Sequence, residues 1–219
     1  MGMTLDLPAA ASMRMRRVTG AAVLAVLVTL VAAQLVGARD DVRSQGSLHA
    51  FLDEHAARLF FAWVLTVLAG LAWLIFVSGM RRMLPGGGAR DLFVAAGVAG
   101  QAVGWAGASL GTAAAGPDSR DLPLSVYNAF GEAAHLASAA GVAATGLALI
   151  GLGAAASGSA TAVLPGLLTR LTTAAGVLLI MTAVIGPISL PVTVLWLLTI
   201  GIVLLREPKD TAASVAGRR

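Results

Sequence analysis

Glu132 and His135 are the side chains whose types and spacing best suit chemistry. They lie three residues apart within an apolar run, so on a helix they share one face. A carboxylate beside an imidazole could move a proton, hold a ligand or join an ion pair. Because an ionised group inside a bilayer is costly without a partner, we expect Arg58, at the start of another apolar run, to pair with Glu132. His135 would then be hydrogen-bonded beside that pair, and a small-ligand or proton-linked site is the alternative.

A metal site is the second chemistry these residue types could support, since histidine and carboxylate ligate zinc, iron and manganese. The chain has one copy of Glu-x-x-His, whereas di-iron helix bundles have two copies and further glutamates. We therefore predict no metal and no other cofactor. The residues that a metal would have to use are His49, Glu54, His55, Glu132 and His135.

The elements that must position these residues are six apolar runs, which account for most of a chain that is 58% hydrophobic and 12% charged. Each run is close to or above the ~18–20 residues that cross a ~30 Å hydrocarbon core as a helix. The prediction is an all-α, polytopic membrane protein with a six-transmembrane-helix bundle at 18–206. A basic tail, 1–17, precedes it, and a second tail, 207–219, follows. The runs are 18–37, 59–80, 92–115, 129–156, 164–186 and 188–205.

Charge sets the predicted orientation. If successive loops lie on alternate sides of the membrane, eleven basic residues lie on the same side as the amino terminus and four lie on the opposite side. Such a bias follows the positive-inside rule, so we predict that both termini are cytoplasmic and that the protein is a multi-pass component of the cell (cytoplasmic) membrane. The eleven are Arg14, Arg16, Arg17, Arg81, Arg82, Arg90, Arg170, Arg206, Lys209, Arg218 and Arg219, and the four are Arg39, Arg43, Arg58 and Arg120.

Composition removes several classes of function. The net charge of +4 and pI near 11.0 could indicate a nucleic-acid partner, but the charge lies at the ends of spans, where it meets lipid headgroups. The lipid bilayer is therefore the expected partner, and no nucleic acid is expected. The chain has no cysteine, which excludes disulfides, thiolate metal sites and thiol catalysis.

The first apolar run resembles a secretory signal, because Arg14, Arg16 and Arg17 precede it and Val36-Gly37-Ala38 offers small residues for cleavage. The run is nevertheless longer than the ~7–15 apolar residues of a typical signal. We predict a retained span; cleavage would leave five spans and a chain beginning near Arg39.

Small residues predict how the third run packs. Five glycines recur there at spacings of three and four, so they share one helix face, and bare backbone lets a neighbouring helix approach closely. Packing inside the monomer is the leading interpretation, and a homodimer through this face is the alternative. Either predicts that leucine at Gly104 disrupts folding or assembly. Gln101, on the same run, is interpreted as a structural hydrogen-bonding residue. The glycines are Gly97, Gly100, Gly104, Gly107 and Gly111.

Several short stretches resemble a diffuse group of bacterial six-helix integral membrane proteins of unknown function. They are 52–58 (LDEHAAR), 80–84 (MRRML), 164–168 (LPGLL), 195–198 (LWLL) and 204–206 (LLR). The resemblance covers roughly 15–207 and implies a polytopic inner-membrane fold with both termini inside. It implies no catalytic residues.

Three functions remain open on the sequence alone. The leading hypothesis is a non-catalytic membrane interaction or sensing component. The first alternative is a small-solute carrier or ligand-binding membrane protein with an outer-side site near Glu132 and His135. The second is a metal-dependent membrane enzyme at the same place.

Overall fold

The computed structural model describes residues 9–36, 44–113, 122–158, 163–185 and 189–206. This part of the chain forms six helices and contains no strand. It is an all-α bundle of the membrane type, as predicted. The helices are α1 (Ala9–Val36), α2 (Gln45–Met83), α3 (Gly88–Ala113), α4 (Leu124–Ser157), α5 (Gly166–Ile185) and α6 (Ser189–Leu205).

Five of these helices are long and apolar enough to cross a membrane, and α6 is a shorter apolar helix. Pro191 lies in the first turn of α6, where its missing N–H removes no hydrogen bond of the helix. The tails predicted at 1–17 and 207–219 fall mostly outside the described residues, although α1 already includes residues 9–17.

The helices pack in the order of a closed ring. Each contacts its neighbour in sequence, and α6 returns to contact α1. The alternating direction of the helices gathers eight of the described arginines at one end, which we call the arginine-rich end; the opposite end is the outer end. Close contacts fix this arrangement, because Gly79 meets Thr19, Gly20 meets Leu204, and Gly151 meets Phe93. The eight are Arg14, Arg16, Arg17, Arg81, Arg82, Arg90, Arg170 and Arg206.

An aromatic cluster fills the bundle toward the arginine-rich end. Trp73 and Trp196 have ring centroids 6.3 Å apart, and Phe76 packs edge-on to Trp196 at 6.0 Å. Both indoles are hydrogen-bonded: Trp73 donates to the Gly97 carbonyl at 3.0 Å and Trp196 to Thr172 Oγ1 at 3.1 Å. Buried aromatic rings with satisfied N–H groups hold α2, α3, α5 and α6 together here.

The glycine face of α3 is mainly an internal packing surface. A Cβ on Gly100 would lie 3.0 Å from the Ala144 Cβ, and one on Gly107 would lie 3.0 Å from the Ala134 carbonyl oxygen, so α3 lies directly on α4. Gly97 faces Val77 of α2. A Cβ on Gly104 would meet nothing within 4 Å, and Gly111 has a loose contact. There is thus room for a methyl group at Gly104, and the disruption expected from the larger leucine side chain stays a prediction.

The second helix is longer than the predicted span of 59–80. It begins at Gln45, after Ser44, whose hydroxyl accepts a hydrogen bond from the Ser47 N–H at 3.2 Å while the Ser47 hydroxyl caps the Ser44 N–H at 2.9 Å. This reciprocal cap satisfies N–H groups that a helix start leaves unpaired. Residues 45–58 thus continue the span as one helix beyond the predicted boundary.

Candidate functional site

Glu132 and His135 lie on a part of α4 that rises beyond α5. Antiparallel contacts of Gly146 with Gly176 and of Gly153 with Thr173 fix the register of the two helices. In that register Ile185, the last residue of α5, is level with about Ala139. At 1.5 Å per residue, Glu132 lies about 10 Å and His135 about 6 Å beyond the end of α5.

This height changes the energetics expected for the pair. Helix α5 has 20 residues and α6 has 17, which correspond to about 30 Å and 25 Å, the thickness of one hydrocarbon core. A core matched to α5 and α6 leaves Glu132 and His135 at the outer headgroup boundary. There water solvates a carboxylate, so the cost that required a buried partner is largely absent. Both side chains are exposed on the surface of the helix.

Arg58 lies at a similar height but on another wall of the bundle. The Trp63 indole donates to Ser109 Oγ at 3.3 Å, which sets the register of α2 against α3. Gly111 faces Ala134, which sets the register of α3 against α4. Together these registers place Arg58 and Glu132 within about one helical turn of each other along the bundle axis. However, α3 lies between α2 and α4 in the ring. Among the described residues neither Arg58 nor Glu132 has an ion-pair partner, and His135 has no hydrogen bond. The expected ion pair is therefore not formed among the described residues.

The metal-ligand candidates are not assembled. Within the described ranges, no group of three or more histidine, aspartate or glutamate side chains is placed to hold a metal ion. His55 is buried against its own helix, where its ring stacks on Phe51 with centroids 4.9 Å apart and its Nδ1 lies 3.2 Å from the Phe51 carbonyl oxygen. Its neighbours His49 and Glu54 are exposed on other faces of α2.

A small apolar cluster, which the sequence analysis missed, frames the site at the outer end. Buried Leu48, Phe51 and Leu52 of α2 pack against Leu124 and Tyr127 in the first turn of α4. The cluster packs the first turns of α2 against the first turn of α4, so the outer ends of these two helices are held together next to the site. The spacing of 48, 51, 52 and 55 is the i, i+3, i+4, i+7 stripe of an amphipathic helix, so the sequence indicates a helix here, although not its packing against α4.

The exposed segment between that cluster and the level of Ala139 combines apolar and ionisable groups. Leu136 is 68% exposed and adjoins His135, while Gly131 and Ala133 flank Glu132 and are also exposed. We call residues 128–138 of α4 the outer α4 face. It contains one acid, one imidazole, the exposed Leu136, the half-buried Phe130 and several small residues.

No family model, no curated protein and no solved structure matches this chain.

Proposed function

We propose that the protein is a non-catalytic membrane interaction component that binds a membrane protein through the outer α4 face. The observation that carries the proposal is the height difference between α4 and α5, which leaves Glu132, His135 and Leu136 exposed together at the outer boundary. An exposed leucine beside two ionisable groups is typical of a binding surface, where apolar contact gives affinity and charge gives selectivity.

The charge of this face favours a particular partner. Because Glu132 has no cation among the described residues, a helix with a basic side chain at its own outer boundary would complement it. Small residues at 131 and 133 let such a helix approach closely. A second copy of the chain could also dock, and the homodimer predicted from the α3 glycines would then use Gly104 and Gly111, whose outward sides are open or loosely packed.

We further propose a bacterial cytoplasmic membrane with the arginine-rich end in the cytosol. The support is the gathering of eight described arginines at one end, against Arg58 at the other. The resemblance to bacterial six-helix membrane proteins supports the same location.

Site-specific crosslinking in cells tests the interaction. A photoreactive amino acid at Leu136 should give a discrete protein adduct, and the same residue at Leu195, which is 64% exposed on α6 within the span, is the matched control. Glu132→Lys should abolish the adduct at 136 by reversing the complementary charge. If both sites give the same pattern, or if the Leu136 adduct survives Glu132→Lys, the proposed binding face is wrong.

The two alternative functions have distinct readouts. A small-solute carrier should show substrate uptake in proteoliposomes that Glu132→Gln abolishes. A metal-dependent enzyme should purify with stoichiometric metal that His135→Ala removes. Either result, without a crosslinked partner, would replace the interaction proposal.

A further inference from the structure

A groove of about 760 Å³ lies between α1 and α2 at the arginine-rich end. Its walls are mainly apolar side chains from both helices, and its mouth has two arginines, Arg14 of α1 and Arg82 of α2. It lies at the opposite end of the bundle from the outer α4 face, so it is a separate site.

The groove lies beside a close contact between α1 and α2, made by Thr19 and Gly79, which are both among its lining residues. Gly79 has no side chain, and buried Thr19 of α1 occupies the space that a Cβ there would need. The Thr19 hydroxyl donates to the Met15 carbonyl at 2.8 Å and is thereby held within its own helix. The contact forms the floor of the groove and leaves the larger side chains Val18 and Ile75 to line its sides.

Charge at the mouth selects an anion. Of the described residues, two arginines and no acidic residue line the groove. The acid described at this end of the bundle is Asp91, whose carboxylate is bonded to Arg90 at 3.4 Å. Arg14 and Arg82 consequently have no ion-pair partner among the described residues. Guanidinium groups bind phosphate oxygens through charge-assisted hydrogen bonds.

The length of the groove matches one leaflet. From Arg82 at the mouth to Leu71 at the far end is eleven residues of α2, or about 16 Å along the helix. Half of a ~30 Å hydrocarbon core is about 15 Å. Between these ends the lining changes from charged, through the hydroxyl of Ser78, to apolar at Ile75 and Leu71. A phospholipid has the same sequence of phosphate, glycerol ester and acyl chain.

We propose that this groove binds an anionic phospholipid from the leaflet at the arginine-rich end. Its phosphate lies between Arg14 and Arg82, its glycerol region is near Ser78, and one acyl chain lies along Ile75 and Leu71. The apolar lining explains why the occupant is a lipid rather than a free phosphate compound, and the paired arginines explain why it is anionic.

Native mass spectrometry of the delipidated full chain in detergent tests the proposal. Phosphatidylglycerol should bind one-to-one, and phosphatidylcholine with the same acyl chains should bind far more weakly. Arg14→Gln/Arg82→Gln should weaken phosphatidylglycerol binding about 25-fold, as the loss of two basic residues at an anionic lipid implies. The matched control, Arg81→Gln/Arg170→Gln, removes the same charge from exposed sites outside the groove and should bind as the parent does.

A second variant tests the acyl-chain contact and also covers the case in which the arginine double variant does not fold. Ile75→Trp fills the groove without changing any charge and should also reduce binding at least tenfold. Equal losses in the two arginine double variants would mean diffuse surface charge and overturn the site. Unchanged binding by Ile75→Trp, or displacement of the lipid by equimolar glycerol 3-phosphate, would overturn the assignment to a lipid.

Discussion

Replacement of Gly146 by alanine tests the crossing of α4 and α5, which sets the height of the outer α4 face. A Cβ there would lie 2.5 Å from the Gly176 carbonyl oxygen and 2.8 Å from Ile180 Cγ1. Ordinary contact begins at 3.4 Å, so α5 must move by nearly 1 Å. Overpacking of this kind costs about 1–3 kcal/mol of folding free energy. We expect a cost in the upper half of that range, because the clashing carbonyl oxygen belongs to the backbone and cannot rotate aside. The better helix propensity of alanine offsets up to about 1 kcal/mol. The net expected loss is about 1–2 kcal/mol.

The control is Gly104→Ala, where the new methyl group meets nothing within 4 Å. Helix propensity alone should then stabilise the protein by about 0.5–1 kcal/mol. Unfolding by a denaturing detergent in mixed micelles, followed by the fluorescence of the four tryptophans, measures both variants. Gly146→Ala that is as stable as the parent would refute the crossing and the height derived from it. A clear loss in Gly104→Ala would mean that another chain covers Gly104, as the predicted homodimer requires.

Three further outcomes follow from the same contacts. Glu132→Gln should change the free energy of unfolding by less than about 0.5 kcal/mol, since the carboxylate is exposed and unpaired in the described structure; a larger loss in the mixed-micelle assay would indicate an ion pair. Trp196→Phe should cost about 1–3 kcal/mol, because it leaves buried Thr172 without its donor, and Trp196→Phe/Thr172→Val should recover part of that loss. Phe51→Ala should cost about 2–4 kcal/mol or release the start of α2, seen as faster hydrogen exchange confined to 45–58; exchange unchanged there would contradict the outer cluster.

The membrane architecture could be predicted because it depends on local composition. Apolar runs of sufficient length separated by charged gaps define the spans, since lipid allows backbone polar groups to pair only within helices or closed barrels. Even α6, which is short, was recognisable from its unbroken apolar run between Pro191 and Arg206. The stripe from Leu48 to His55 predicts a short interfacial helix ahead of the second span, and the structure joins it to the span as one helix, Gln45–Met83.

The candidate site was predicted less well, because its environment depends on how far one helix slides past another. The sequence places Glu132 and His135 in an apolar run but does not say which turn of α4 meets α5. Two glycine contacts, Gly146 with Gly176 and Gly153 with Thr173, decide that register. If α4 were shifted by two turns along α5, both ionisable groups would be buried, and Glu132 would again need Arg58 as an ion-pair partner. The ion pair is not formed among the described residues, and whether Glu132 needs a partner depends on where the bilayer lies along α4.

The two proposed surfaces are linked through the vertical position of the bundle. Arg14 and Arg82, if held by lipid phosphate, fix the arginine-rich end at the headgroups of one leaflet. Because α5 and α6 have lengths of one hydrocarbon core, fixing that end also places their outer ends at the opposite headgroups. Glu132 and His135 then lie just above the outer boundary, where they are hydrated and accessible to a partner. Without that anchor, a shift of about 10 Å would draw both groups into hydrocarbon, at a cost of several kcal/mol if they remained ionised. The arginine groove therefore supports the exposure on which the proposed interaction depends.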